Sequence, residues 1–447
     1  MEILIKAAQL ILSLSILVLL HELGHFATAK WFKMRVEKFY LFFDPWISLF
    51  KIKRGDTEYG IGWIPLGGYV KISGMIDESM DKEQMKQPAQ PWEFRAKPAW
   101  QRLIVMVAGV TMNLILAMCI YAMLLFVFGE KYLPTANMKD GIWCVDSLAT
   151  QIGFQNGDKI LSVDNKKVEK FQDVIPEMMY ATSMQIERKG KKIDLPIPKN
   201  FIEQIIDQKG KHVPFLYPRI PYYVGKFADH STAEKAGLKI KDQVIGLNDS
   251  TLKYFDEYTT LIPLFKNQTI NLKVKRGSET MNIPIQVDSS GKIGVYPAMV
   301  DLKSLRESGV YDFSVTKYGF FESFPAGIRK AGDKLVDYIH QFKLIFNFKT
   351  GAYKGVGSFI SIGNLFPAQW EWEPFWELTA ILSIVLAFMN ILPIPALDGG
   401  HVLFLLYEVI TGKKPSDKFL EYAQYLGMFL LISLMVYAIG NDIFKLF

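Results

Sequence analysis

A chain of 447 residues is too long for one domain, and about 150 residues per domain suggests three. Half of its residues are hydrophobic and 14% aromatic, with 18 Met and only 21% charged, which points to membrane spans joined to soluble parts. The net charge of +6 forms no basic block, so no nucleic-acid partner is expected, and Cys119 and Cys144 supply neither a disulfide framework nor a CxxC metal site.

The first apolar run, about Ile3–Phe32, can cross a hydrocarbon core of roughly 30 Å. Residues 7–20 carry no charge, and three ionisable groups, His21, Glu22 and His25, follow at once. At i, i+4 the two histidines share one helix face, where neutral imidazoles can bind a zinc ion. Glu22 can then take a proton from a water activated there. HExxH also arises by chance, and the plain alternative is a histidine pair in the core of a soluble helix. That alternative needs a solvent face, which this run lacks, and ionisable groups in hydrocarbon are costly unless functional. The run is not read as a secretion signal, because it lacks a short basic start and a small-residue cleavage site.

Residues 30–102 hold 13 Lys and Arg. Within them Val36–Phe43, Ser48–Ile52 and Tyr69–Ile72 read as strands, rich in aromatics that suit a sheet at a membrane surface. A second span is expected over Leu103–Phe128, a third over Phe375–Leu392, ended by Pro393 and Pro395, and a fourth over Leu420–Ile439. Lys413, Lys414 and Lys418 lie between the last two. By the positive-inside rule both basic connections are cytoplasmic and both termini lie outside.

The block from about 130 to 300 has no span and contains an internal repeat. Residues 152–171 align with 236–255 at an offset of 84, matching Gly153 with Gly237, Asp158 with Asp242 and Phe171 with Phe255. Strand-like segments such as Ile270–Val274 and Ile283–Val287 follow, so the period suits two tandem small β-rich domains. Both copies resemble PDZ domains, although Phe154 replaces the usual Leu and Lys241 the usual Gly. Such a groove would bind an extended peptide as an added strand; the alternative is a pair of structural modules that bind nothing. Beyond the repeat, Leu335, Ile339, Phe342 and Phe346 share one helix face, expected to lie on the membrane or, preferably, to pack against the central domains.

Two histidines leave a catalytic zinc short of a protein ligand. Residues 390–401, NILPIPALDGGH, put Asp398 at membrane depth in a segment broken by Pro and Gly. Asp398 is the preferred third ligand, with His401 a competitor and capping of a helix near Gly399 the structural alternative.

Together, HELGH in the first span, LDG at the end of the third and the PDZ-like pair between them resemble the site-2 protease family of intramembrane zinc metalloproteases, nearest its bacterial sigma-E-regulating branch. GYVKISG (68–74) is similar to the family's β-loop segment, WQRLIVMVAGVTMN (100–113) to its start of span two, and NILPIPALDGGH to its NLLPxPxLDGGH. The resemblance covers nearly the whole chain. It implies His21, His25 and Asp398 as zinc ligands, Glu22 as general base, and Asn390 near the site, holding substrate or the reacting carbonyl. Two departures stand out: Gly109-Val110 where the family has Gly-Pro, and Gly355-Val356-Gly357 where it has Gly-Pro-x-Gly.

The expected fold is an α-helical multi-pass membrane protein with four spans, a membrane-associated β-loop and two tandem β-rich PDZ-like domains. The boundaries are 1–32 for the first span, 33–102 for the cytoplasmic β-loop, 103–129 for the second span, 130–210 and 211–300 for the PDZ-like domains, 301–374 for a helical linker and 375–447 for the last two spans. The resemblance further implies a protease of the cell inner membrane, with both termini and the PDZ-like pair periplasmic. Its partners would be the lipid bilayer and single-span substrates, an anti-sigma factor cut first by another protease or remnant signal peptides. The PDZ-like pair would act as a size filter. A zinc transporter would need polar residues along a path, yet spans two and four offer little beyond Thr111, Asn113 and Ser433. A scaffold with a decayed site is at odds with the intact ligand set and Glu22.

Overall fold

The computed structural model describes residues 1–65, 67–75, 87–208, 214–299, 301–347 and 351–444. The chain divides into two compact units. One comprises Met1–Gly129, Lys317–Asn347 and Tyr353–Phe447; the other comprises Glu130–Thr316 and Phe348–Ala352.

In the first unit, helix α1 covers Glu2–Trp31. A four-stranded sheet follows, formed by β1 (Val36–Leu41), β2 (Phe50–Arg54), β3 (Thr57–Ile61) and β4 (Tyr69–Ile72) in the order β2-β3-β1-β4. Helix α2 covers Ala99–Val127, and α3 (Phe320–Ile345), α4 (Phe359–Leu365), α5 (Trp372–Ile391), α6 (Asp398–Thr411) and α7 (Asp417–Phe444) complete the unit. Among the described residues, four helices are long and apolar enough to cross a membrane: Glu2–Trp31, Ala99–Val127, Trp372–Ile391 and Lys418–Ile443. They coincide with the four expected spans. In α1 the usual polarity is reversed, because Gln9, Ser13, His21, Gly24 and His25 are buried while Leu4, Ile11, Leu12 and Leu19 are exposed. A helix solvated by lipid turns its polar residues inward in this way.

The sheet departs from expectation in one strand. β3 pairs parallel with β1 and antiparallel with β2, yet its sequence, TEYGI, lacks an apolar alternation. Gly60 in β3 lies against the Tyr40 ring, where any side chain would collide. The choice of glycine there is a packing requirement that local pattern does not reveal. Helix α3 packs on α2 and α5 of its own unit. Gly327 lets α3 approach within contact of the Ala122 backbone on α2. At the far end of the unit, Asp442 on α7 accepts hydrogen bonds from the backbone and hydroxyl groups of Ser358 and Ser361, tying down the start of α4.

The second unit contains two four-stranded antiparallel sheets with one strand order. In the first, Lys166–Lys167, Lys159–Val163, Ser183–Arg188 and Lys191–Pro196 lie side by side; in the second, Ser250–Thr251, Gln243–Leu247, Thr269–Arg276 and Glu279–Gln286 do. Each repeat copy has the same latch. Arg188 bonds both oxygens of Asp158 and the Gly153 carbonyl, and Arg276 bonds both oxygens of Asp242 and the Gly237 carbonyl. Both sheets share one contiguous apolar core, with Trp143 of the first half edge-on to Phe255 of the second at 5.3 Å. Glu130–Tyr132 pairs with Ser314–Thr316, so the chain enters and leaves the unit side by side and the unit extends past the expected boundary at 300. The expected division at 210 lies outside the described residues.

Candidate metal centre

Residues in α1 place His21 and His25 one turn apart, both buried, with Nε2 atoms 3.3 Å from each other. The third group comes from the turn after α5. There the chain reverses through Pro393 and Pro395, and Ala396 takes a left-handed conformation, φ 79°, that costs a residue with a side chain roughly 1–2 kcal/mol. Gly399 and Gly400 lie so close to the carbonyls of Leu392 and Ile394 that no side chain fits. Helix α6 then starts at Asp398, with Leu397 as its N-cap residue. The Asp398 carboxylate therefore does not serve as a cap; its Oδ2 lies 3.2 Å from His21 Nε2 and 3.3 Å from His25 Nε2.

These three atoms fit a zinc ion. Their separations match the edge, about 3.3 Å, of a tetrahedron with metal–ligand bonds of roughly 2.0–2.1 Å. The tautomer of His25 is fixed, because its Nδ1 lies 2.8 Å from the Val105 carbonyl, which can only accept. Its Nε2 thus turns a lone pair toward a carboxylate oxygen that has no hydrogen-bond partner. Converging lone pairs repel unless a cation lies among them. Among the described residues, His21, His25 and Asp398 form the cluster able to hold a metal, and His401 is not part of it.

Helix α2 forms the back wall. Val105, Gly109 and Asn113 recur every fourth residue and so share a face. Val105 receives the His25 proton, and Asn113 Nδ2 is placed 3.2 Å from His21 Nδ1. A methyl group on Gly109 would lie 2.8 Å from His21 Cε1 and 2.9 Å from His25 Cδ2, well inside contact distance. The neighbouring Val110, where proline was expected, removes no ligand.

In front of the histidines opens a cavity of about 360 Å³, lined by Glu22, Tyr69, Val70, Asp398, His401 and Gln424 among others. Glu22 is therefore beside the cluster, on the side open to a substrate. Asn390, near the end of α5, has its Nδ2 3.4 Å from His21 Nε2. Tyr69 donates to Asp44 Oδ1 at 2.8 Å, and burial together with that bond raises its pKa, so it stays neutral. Strand β4, which carries Tyr69, is an edge strand of its sheet. Gly68, just before it, packs against Val18 and Glu22, which seats the sheet on α1.

All five residues expected at the site, His21, Glu22, His25, Asn390 and Asp398, are thus brought together. His230 belongs to the other unit, His340 is on α3, and His212 lies outside the described residues. Sequence reasoning did not assign roles to Gly109, Asn113 and the Val105 carbonyl. The available signal was the four-residue spacing of Gly109 and Asn113 in an otherwise apolar span.

The profile of Peptidase family M50 matches residues 9–434. The chain belongs to peptidase family M50. Regulator of sigma E protease from Haemophilus influenzae is 28% identical over 474 residues, covering 100% of both chains. Protease RseP from Yersinia pestis is 27% identical over 474 residues, again covering 100% of both. A protein of Xylella fastidiosa described as a candidate zinc metalloprotease is 28% identical over 454 residues, 97% of each chain. As an M50 peptidase the chain is a zinc-dependent metalloprotease, and its apolar helices make it a membrane protein.

Proposed function

We propose that this M50 peptidase cleaves peptide bonds within or beside the transmembrane segments of single-span membrane proteins, with His21, His25 and Asp398 as zinc ligands. The observation that carries the reading is the convergence of Asp398 on both imidazoles, beside a cavity that exposes Glu22. Zinc at such a site acidifies a water and polarises a carbonyl. Glu22 is the general base, taking the water's proton and returning it to the departing amine. Asn390 supplies amide N–H groups that orient the scissile peptide.

A transmembrane helix satisfies its own backbone, so it must unwind before a peptide bond is accessible. Strand β4 is an end strand of its sheet and its residues Tyr69–Ile72 border the cavity, so an unwound segment adds there as a further strand. The name of one relative, which refers to regulation of sigma E, favours an anti-sigma factor as substrate; a first cleavage by another protease, and remnant signal peptides as further single-span substrates, belong to the same proposal. The four apolar helices then cross the cell inner membrane, with both termini and the Glu130–Thr316 unit on the periplasmic face. Each half of that unit is read as PDZ-like, and the pair filters substrates by size.

The test uses the purified full-length chain, a single-span substrate in detergent or liposomes, and mass spectrometry of the products. Chelator-sensitive cleavage inside the apolar segment is expected. Cleavage confined to the substrate's soluble parts would overturn the reading.

A further inference from the structure

Asn113 has no role in the proteolytic mechanism above, yet it is completely buried and faces His21 on the side of the ring away from Asp398. Its side-chain amide is 3.2 Å from His21 Nδ1, while its Oδ1 is buried with no hydrogen-bond partner. Its backbone carbonyl accepts from Ser383 Oγ at 2.7 Å, which anchors this turn of α2 to α5. Nitrogen and oxygen of an asparagine amide exchange places by a half-turn of the side chain, and the surrounding hydrogen bonds decide between them.

Both histidines turn Nε2 toward Asp398, so a metal held there takes Nε2 from each ring. His25 presents Nε2 because the Val105 carbonyl takes its Nδ1 proton. His21 has no backbone carbonyl in that position; what faces its Nδ1 is the amide of Asn113. With the amide turned so that Oδ1 faces the ring, His21 gains the acceptor that its tautomer requires, and Nδ2 takes the position in which Oδ1 has no partner. We propose that Asn113 is a positioning residue for the metal centre: Oδ1 accepts the Nδ1 proton of His21 and so keeps His21 Nε2 free to bind zinc. The inference rests on His21 being a ligand, as proposed above.

Zinc affinity of the full-length protein, measured by competition with a chromogenic chelator, provides a readout other than proteolysis. Asn113→Leu has similar bulk without an acceptor and should weaken zinc about 10- to 100-fold, the usual effect of losing such a partner. Asn113→Asp restores an acceptor and should bind zinc within about threefold of the parent or more tightly. Melting of each variant in excess chelator reports on folding separately, and the zinc-induced rise in Tm should shrink for Leu and persist for Asp. If Asn113 only filled space, Leu would retain affinity and a buried Asp charge would lower it; that order of the two variants overturns the proposal. Should Asn113→Leu fail to fold, weaker zinc binding by Asn113→Asp than by Asn113→Ser is the overturning result. His21→Ala in the same titration separates the two readings. Unchanged affinity there would sink His21 as a ligand, whereas loss there with a normal Asn113→Leu sinks this proposal alone.

Discussion

Gly109→Ala tests the back wall of the metal centre by adding a single methyl group. That carbon would lie 2.8 Å from His21 Cε1 and 2.9 Å from His25 Cδ2. Carbon atoms in contact settle at about 3.5–4.0 Å, so the imidazoles or α2 must retreat by roughly 0.6 Å or more. Overpacking of this kind costs typically 1–3 kcal/mol when the fold absorbs it. Zinc sites tolerate ligand displacements of only about 0.2 Å, so the strain falls on metal binding. A weakening of zinc affinity by at least tenfold, about 1.4 kcal/mol, is expected, with little change in the melting of the metal-free protein. Gly332→Ala on α3 is the control, since nothing lies within 4 Å of the added methyl group. It should leave zinc affinity unchanged. Equal zinc affinity in Gly109→Ala and the parent would refute the placement of α2 against the histidines.

Asp398→Asn should lower zinc occupancy, a neutral amide being a poorer ligand than a carboxylate, while His401→Ala should leave it nearly intact; metal analysis showing the reverse would move the third ligand to His401. Replacing residues 130–316 by a short linker is feasible because the strands at the two ends of that stretch pair with each other. The variant should keep its zinc and begin to cut substrates that retain a bulky external domain, as seen by gel assay. Gly237→Asp should leave selectivity as it is, despite straining a turn at φ 95°; slower cleavage of every substrate by both variants would favour delivery through a groove over filtering. In the latch of the second repeat, burial would raise the Asp242 pKa, but the Arg276 hydrogen bonds and charge prevail and hold it below the ordinary carboxylate value. A carboxyl depressed in the folded state contributes stability above its unfolded value and loses it as pH falls through the folded one. Arg276→Met should therefore lower stability near neutral pH and flatten the loss of stability below pH 4 in a melting series.

Much of the site could be read because helical spacing encodes a shared face: His21 and His25 needed no tertiary information. Asp398 was legible for a different reason, an acid set in a Pro/Gly break at membrane depth, where backbone and charge both need an explanation. The stripe of Val105, Gly109 and Asn113 was visible as letters, but its meaning depends on which face of α2 meets α1. The repeat was legible through Asp158 and Asp242, whereas their partners Arg188 and Arg276 lie 88 residues apart and fall off the offset of 84. Strand β3 was missed because Gly60 serves the ring of Tyr40 and not strand propensity. Helix α3 has the amphipathic face expected of it, but amphipathicity does not say what covers that face; α2 and α5 do.

The central claim is that Glu22 acts on a zinc held by His21, His25 and Asp398. Glu22→Gln tests it most directly, because glutamine keeps the size and hydrogen bonding of the side chain while removing its basic oxygen. Full-length Glu22→Gln should retain one zinc per chain and lose cleavage of a single-span substrate by at least 100-fold, the span typical for a general base. Cleavage at the parental rate by that variant would contradict the claim.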